Sequence, residues 1–171
     1  MTKLTVAAGA LLAAGLLVAA ASDAPTYVGA GKCRDCHRTE KQGRQHPIWE
    51  AGKHAQSFNN LKAETAKNEA GESIPAQESP VCRKCHAPLT GPAPEIAAEG
   101  VSCEVCHGAG SQYRKLSVMV DREACAKNGL TIYANPEAIK AKCLGCHDNA
   151  HGIAFDFPKA WEAVKHYRPA K

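Results

Sequence analysis

Hydrophobic positions along the chain follow helical spacing only over short stretches. Beyond Pro47, residues recur at intervals that place them on one face of a helix: Ala51, His54, Phe58 and Leu61. No stretch alternates between apolar and polar positions as a half-buried strand does. The pattern therefore predicts a mostly α fold with extensive coil and no sizeable sheet.

Further short helices are predicted from the residues that begin them. Asp121 is a suitable N-cap for a helix that ends near Gly129. Asn135 and Pro136 form a cap and first turn, and Pro158 opens a last helix. Polar or proline-rich composition predicts surface loops at 64–80 and 87–100.

The first 21 residues have the pattern of an N-terminal leader and are considered apart from the folded domain. A positively charged start with Lys3 is followed by the apolar run 4–21, which ends in the small residues 19–21. This pattern is typical of a signal peptide cleaved after Ala21, and the alternative is an uncleaved membrane anchor. Residues 22–171 are then a single exported, periplasmic domain, which an uncleaved leader would associate with the membrane.

Composition indicates that side chains alone do not supply the core. The chain has 171 residues, of which 44% are hydrophobic but only 5% aromatic, alongside nine cysteines and eight histidines. A hydrophobic fraction this large argues against disorder. Since large rings dominate conventional cores, another group must provide the missing bulk.

Eight of the nine cysteines lie in four C-x-x-C-H motifs, called here attachment motifs one to four. In chain order these are Cys33–Cys36–His37, Cys82–Cys85–His86, Cys103–Cys106–His107 and Cys143–Cys146–His147. The spacing is the attachment signature of c-type haem. Two thiols three positions apart bond the vinyl groups of one porphyrin, and the adjacent imidazole is the proximal iron ligand.

Two other uses of paired cysteines explain this pattern less well. Zinc sites do not need a histidine directly after every second cysteine, and a C-x-x-C disulfide closes only a very small loop. Four covalently bound haem c groups are therefore predicted. Their apolar faces would supply the missing bulk, and without them we expect a largely unfolded chain.

Net charge does not identify a nucleic-acid-binding protein. The formal charge is only +4 and the cationic residues are spread along the chain. Losing Lys3 and adding propionates brings the charge to about −1 with oxidised haems and about −5 with reduced ones. Local lysine clusters, rather than net charge, would then steer docking to a redox protein donor and acceptor.

Four histidines outside the motifs are candidates for the sixth coordination position. They are His46, His54, His151 and His166. His54 lies on an apolar helix face and His166 at the end of the last helix, whereas His151 is predicted on a loop. His46 is the weakest candidate because the following proline favours extended backbone. A second histidine lowers the reduction potential and suits electron transfer, whereas an open position permits chemistry.

Several segments beyond the motifs resemble the cytochrome c-554 family. The stretch 49–55, W-E-A-G-K-H-A, is similar to its W-x-x-S-x-H-A, and 100–110, G-V-S-C-E-V-C-H-G-A-G, is similar to its G-V-x-C-E-x-C-H-G-P-G. F-D-F at 155–157 with Trp161 and K-H at 165–166 resembles its C-terminal segment, and 27–29 also fits. The resemblance implies a periplasmic, predominantly helical electron carrier with closely packed haem pairs, in which His54 and His166 are distal ligands.

This sequence also departs from the family pattern. The family archetype has a further distal histidine after its second motif, but no histidine outside the motifs lies between His86 and His147. The archetype also leaves the second haem five-coordinate. If that carries over, His86 has no partner, and His46 and His151 complete one other haem or none.

Three functions remain as hypotheses. The leading one is an exported tetrahaem carrier that passes electrons between redox partners and is not itself an enzyme. The second is a haem enzyme acting on a small nitrogen or sulfur species at an open haem held by His86. The third is an oligomer, a conductive filament in which His46 or His151 ligates the next subunit's haem.

Cys125, outside the motifs, is either a buried small hydrophobe or an intermolecular disulfide partner.

Overall fold

The computed structural model describes residues 24–149 and 151–166, in which short helices are joined by long irregular connections. The helices are α1 (Ala30–His37), α2 (Gln45–Glu50), α3 (Lys53–Gln56), α4 (Pro80–His86), α5 (Cys103–His107), α6 (Leu116–Met119), α7 (Arg122–Lys127), α8 (Pro136–Leu144) and α9 (Phe157–Val164). Turns of 3-10 helix occur at Glu40–Gln42, Asn59–Leu61 and Pro94–Glu99. The prediction of a mostly α fold with extensive coil is confirmed.

Local capping chemistry begins the later helices where the sequence predicted. The Asp121 side chain accepts hydrogen bonds from the backbone N–H groups of Glu123 and Ala124 at 2.8 and 3.0 Å, which starts α7. The Asn135 side chain accepts one from Ala138 at 2.9 Å and starts α8. These bonds satisfy backbone donors that have no partner within the helix.

The helix predicted beyond Pro47 is broken in the structure, which corrects that prediction. Gly52 has φ −84° and ψ 161°, an extended conformation that separates α2 from α3, and a 3-10 turn at Asn59–Leu61 follows. Of the predicted apolar face, Leu61 is buried, His54 and Phe58 are half-buried and Ala51 is exposed.

The polar segment 64–80 contains a small hairpin that the sequence did not predict. Strand β1 (Thr65–Lys67) pairs antiparallel with β2 (Ser73–Pro75), with Ala66 opposite Ile74. Most of its residues are exposed, as the predicted surface loop requires. Three-residue strands are too short to show an alternating pattern. The segment 87–100 is irregular as predicted, apart from the 3-10 turn at Pro94–Glu99.

The core of the described residues is built from small side chains. Its buried hydrophobic members are Ala30, Ala55, Leu61, Ala76, Ala87, Leu89, Ala93, Tyr113 and Cys125. Large apolar side chains instead lie exposed beside attachment motifs: Val81 precedes Cys82, and Leu144 follows Cys143. Apolar surface next to the attachment thiols fits a flat apolar macrocycle bonded there.

The predicted leader, residues 1–21, lies outside the described residues. Within the part of the chain that the structure describes, none of the helices has the length and apolar character needed to cross a membrane.

Candidate metal centres

Each attachment motif is presented by a short helix. Motif one ends α1, motif two ends α4 and motif three forms the whole of α5. Motif four begins in the last turn of α8, and backbone N–H groups of Cys146 and His147 bond the carbonyl of Cys143 at 3.1 and 2.9 Å. A helical turn brings two thiols three positions apart onto the same side, as attachment to one porphyrin requires.

Three of the four motif histidines lie opposite a histidine from outside the motifs. The ring centroids of His107 and His166 are 5.8 Å apart, and those of His54 and His147 are 6.1 Å apart. His86 and His151 are also separated by 6.1 Å. The fold thus brings together residues that are 59 to 93 positions apart in the sequence, as the residue numbers show.

The separation within these pairs fits a single iron between two imidazoles. Since a metal–nitrogen bond is about 2 Å long and each nitrogen lies about 1 Å from its ring centre, two coaxial ligands have centroids about 6 Å apart. Ordinary ring stacking is closer and more parallel, as between His147 and Phe155, whose centroids are 4.6 Å apart at 16°. The three pairs are inclined at 43° to 85°.

Hydrogen bonds at Nδ1 leave the other ring nitrogen available to a metal. Nδ1 of His86 lies 3.0 Å from the carbonyl oxygen of Ser57, and Nδ1 of His166 lies 3.1 Å from that of Val164. A carbonyl only accepts, so Nδ1 carries the proton and Nε2 keeps its lone pair. This is the usual arrangement of a metal-bound histidine with an oriented ring.

Burial keeps two of the paired imidazoles neutral. It lowers the pKa of His107 to about 4, and the neighbouring His166 and His37 act in the same direction. Burial also lowers the pKa of His54, with a further contribution from His147. Because only the neutral imidazole binds a metal, both residues are ready as ligands at neutral pH.

His37 and His46 are arranged differently from the three pairs. Nδ1 of His37 lies 3.1 Å from Oε1 of Gln45, which leaves its Nε2 available in the same way. His46 is 4% exposed and packs edge-on against the Trp49 ring, with centroids 5.2 Å apart. Burial lowers the pKa of His46, although Glu50 opposes this.

Thiols of different motifs lie next to one another in a definite order. A hydrogen bond between Cys33 and Cys103 lowers the pKa of Cys33 and raises the pKa of Cys103. Burial raises the pKa of Cys106, and nearby Cys143 raises it further. Burial and a hydrogen bond with Cys85 raise the pKa of Cys146 to about 11. The two hydrogen bonds place motif one beside three and motif four beside two, and the influence of Cys143 on Cys106 indicates that motif three lies near four.

Ser57 joins three of the segments that carry the histidines. Its hydroxyl donates toward the carbonyl oxygens of His54 and His86, at 2.8 and 2.7 Å, and accepts from the N–H of Val101 at 3.1 Å. The indole N–H of Trp49 also donates to the Val101 carbonyl at 2.8 Å. These bonds fix the segment bearing His54 against motifs two and three.

Glu104, inside motif three, holds the segment that leads into motif one. Its side chain is buried, and its carboxylate accepts from the backbone N–H groups of Val28, Gly29 and Gly110 at 2.7 to 3.0 Å. Glu99 accepts from Ala30 at 2.9 Å. Burial raises the pKa of Glu99, and Glu104 adds to this, whereas the bond from Ala30 opposes it.

In the sequence Glu104 is only one member of the family-like stretch 100–110, and neither it nor Ser57 has a local pattern that predicts these contacts. Two tyrosines also have contacts that the sequence did not predict. The Tyr133 hydroxyl donates to the Cys106 carbonyl, and the Tyr113 hydroxyl donates to the Gly108 carbonyl. Both satisfy carbonyls at the end of α5. Phenols far along the chain give no local signal of this contact.

The structure differs from the expectation that His86 has no partner, since His151 lies opposite it. This placement disfavours the open site proposed at His86. It also disfavours the filament hypothesis, because His151 faces a residue of its own chain and His46 is buried. Cys125 is 2% exposed and its thiol donates to the Val118 carbonyl at 3.3 Å, which favours the buried, structural interpretation.

Comparisons with known proteins agree with this arrangement. The family model described as "Cytochrome c554 and c-prime" matches residues 32–108. "Cytochrome c-554" of Nitrosomonas europaea is 28% identical over 184 residues, which cover 88% of this chain and 73% of that protein. No solved structure gives a significant match.

Helical attachment motifs and the family match together define a c-type cytochrome, a class of electron-transfer protein with covalently bound haem c. Both sequence comparisons confirm the predicted resemblance to the cytochrome c-554 family. Proteins of this class exchange electrons with redox partners.

Proposed function

We propose that this chain is an exported tetrahaem electron carrier in which charge passes along a row of haems ordered one, three, four and two. The observation that carries the proposal is the pairing of a motif histidine with one histidine from outside the motifs in three separate places. Chance packing of aromatic rings has no reason to select this combination three times. The haems supply one-electron chemistry, and the protein residues set their order and environment.

Three of the irons are each proposed to have two histidine ligands. They are His86 with His151, His107 with His166, and His147 with His54. Each pair would hold a haem iron with two neutral imidazoles, which suits electron transfer and would keep substrates from the metal. The hydrogen bonds at Nδ1 of His86 and His166 hold their rings in place, so little reorganisation accompanies a change of charge.

The proposed row of haems follows from the neighbouring thiols. Each thioether bond would join a cysteine to the edge of a macrocycle, so adjacent cysteines bring two edges together. Cys33 with Cys103 would join haems one and three, Cys106 with Cys143 haems three and four, and Cys85 with Cys146 haems four and two. Haems one and two are then the ends of the row.

Haem number and electron capacity test the proposal. We expect the mass of the exported protein to exceed that of residues 22–171 by four haems and an anaerobic titration to take up four electrons reversibly. Fewer haems, or a titration that is not reversible, would contradict it.

The proposed order needs a separate comparison of two variants that each lose one haem. Removing the interior haem four with Cys143→Ala and Cys146→Ala should slow electron equilibration among the remaining three after flash reduction. Removing the terminal haem two with Cys82→Ala and Cys85→Ala is the matched control and should leave that rate nearly unchanged. Equal rates in the two variants would reject the order.

A further inference from the structure

Six of the eight histidines form the three facing pairs, and all eight belong to the described residues. His37 is the motif histidine that remains. Within the described part of the chain its ring has a contact with Gln45 and no second imidazole opposite it. Motif one also lies at the surface, since Cys36 is exposed and His37 and Cys33 are only half-buried.

We infer that the iron attached through Cys33 and Cys36 has His37 as its single histidine ligand and that its sixth position is a binding site for a small anion. The inference rests on the proposed function, because it requires a haem at motif one. It assigns the open position to the exposed end of the row, at motif one, and not to the haem held by His86.

His46 is the other histidine outside the three pairs, and its ring packs against Trp49 in a T-shaped contact instead of facing His37. Its Nδ1 is buried without a hydrogen bond, 3.9 Å from Oε2 of Glu50. It belongs to α2, whose first residue, Gln45, contacts the Nδ1 side of His37. The helix that carries His46 therefore supports the proximal ligand.

The charge around motif one determines which ligands the site favours. Five cationic residues lie on or just after α1 and are exposed: Lys32, Arg34, Arg38, Lys41 and Arg44. Two carboxylates lie on the same segment, Asp35 and Glu40, and Glu40 is paired with Arg44 at 2.8 Å. Two more, Glu99 and Glu104, accept hydrogen bonds at the N-terminal end of α1, so five cationic residues face four carboxylates. An excess of positive charge raises the local concentration of anions. Azide is a suitable probe because it is anionic at neutral pH and coordinates ferric iron.

Electron paramagnetic resonance of the oxidised, full-length protein tests the inference directly. We expect one high-spin iron and three low-spin irons, and azide should convert the high-spin signal with one equivalent per chain. Azide binding should weaken as ionic strength rises, because the surrounding charges are exposed and screened. Four low-spin irons would overturn the inference, and binding that does not depend on salt would overturn the preference for anions.

Variants locate the open position. Cys33→Ala with Cys36→Ala should abolish the high-spin signal and azide binding, whereas the matched pair Cys82→Ala with Cys85→Ala should leave both unchanged. The opposite result would place the open position at His86. If the first variant does not fold, His151→Ala answers the same question: a second high-spin iron supports the inference, and an unchanged spectrum overturns it. His46→Phe should leave the wild-type spectrum unaltered, and a new high-spin iron there would overturn it.

The outcomes also separate this inference from the proposed function. A protein that carries four haems and takes up four electrons, but has only low-spin irons, would remain the proposed carrier without the anion site. A protein that carries fewer than four haems would contradict the proposed function itself.

Discussion

Glu104 shows how one residue controls the approach of two attachment motifs. It is 1% exposed, and its carboxylate accepts from backbone donors of Val28, Gly29 and Gly110. A buried carboxylate is stable only when such donors replace water. Two of these donors, Val28 and Gly29, belong to the segment that precedes α1, so their bonds to Glu104 also fix Cys33 beside Cys103.

Substitution of Glu104 by Gln should therefore destabilise the protein. The amide has one acceptor oxygen, and its N–H₂ group would face backbone donors, so we expect a loss of roughly 2–3 kcal/mol in the free energy of unfolding. Denaturant unfolding of the holoprotein measures this. Glu78→Gln is the matched control at an exposed position and should change stability by less than about 0.5 kcal/mol. Equal effects of the two substitutions would show that the buried contacts are unimportant.

Histidine roles show the limit of prediction at the residue scale. The motif histidines are identified by adjacent cysteines, which is local information. The partner of each depends on where a distant segment lies. The family resemblance implied that His86 has none, whereas the fold places His151 opposite it. His54 and His166 were expected as distal ligands from their helices and the family resemblance, and the structure places them facing His147 and His107.

The elements of this protein are short because each is completed by contacts outside itself. Predictions succeeded for α7 and α8, whose starts depend on the local caps Asp121 and Asn135. They failed for the break at Gly52 and for the hairpin of β1 and β2, since neither has a strong local signal. The motif helices could be located from the cysteines, but their neighbours in space could not.

Gly100 precedes α5 and makes possible the close approach of the His54 segment. Its φ is +67°, and a Cβ there would meet the Ser57 hydroxyl and lie 2.7 Å from the carbonyl oxygen of His54. Both the backbone conformation and the contact exclude a side chain. The glycine thus allows Val101 to bond Ser57 and His54 at the same time.

Gly100→Ala should destabilise the holoprotein by on the order of 2 kcal/mol, through backbone strain and the displaced His54 segment. Thermal unfolding followed by haem absorbance measures the change. Gly91→Ala is the control, since a Cβ at that position would meet nothing within 4 Å, and its effect should stay below about 1 kcal/mol in either direction. Equal destabilisation by both would show that the close approach is not required.

At the scale of the whole molecule, the chain lacks the large buried side chains of a self-sufficient domain. Alanines predominate among its buried hydrophobic residues, while Val81, Leu116 and Ile153 are more than 70% exposed. Burial of such small side chains contributes little to the free energy of folding compared with the entropic cost of ordering the backbone. The attached macrocycles must then provide much of the stabilisation.

Replacement of the eight motif cysteines by Ala should consequently leave a chain without a cooperative thermal transition. Circular dichroism and a fluorescent probe of exposed apolar surface would show low helix content and no sharp midpoint. The holoprotein with Cys125→Ala is the control, because it loses the remaining cysteine but keeps every attachment site. A cooperative transition in the chain without attachment cysteines would contradict this account of stability.

The spatial order of the attachment motifs has a consequence for biosynthesis. Motifs one, two and three emerge before motif four, yet motif four lies between three and two in space. With the proposed order of four haems, a nascent chain that had acquired only the first three would hold haem two apart from haems one and three, and the row would be completed only when the last segment is translated and matured. Premature termination after residue 135 would leave a coloured product without motif four. In such a product electrons could not pass between haem three and haem two, so only chains with a complete C-terminal region would conduct along the whole row.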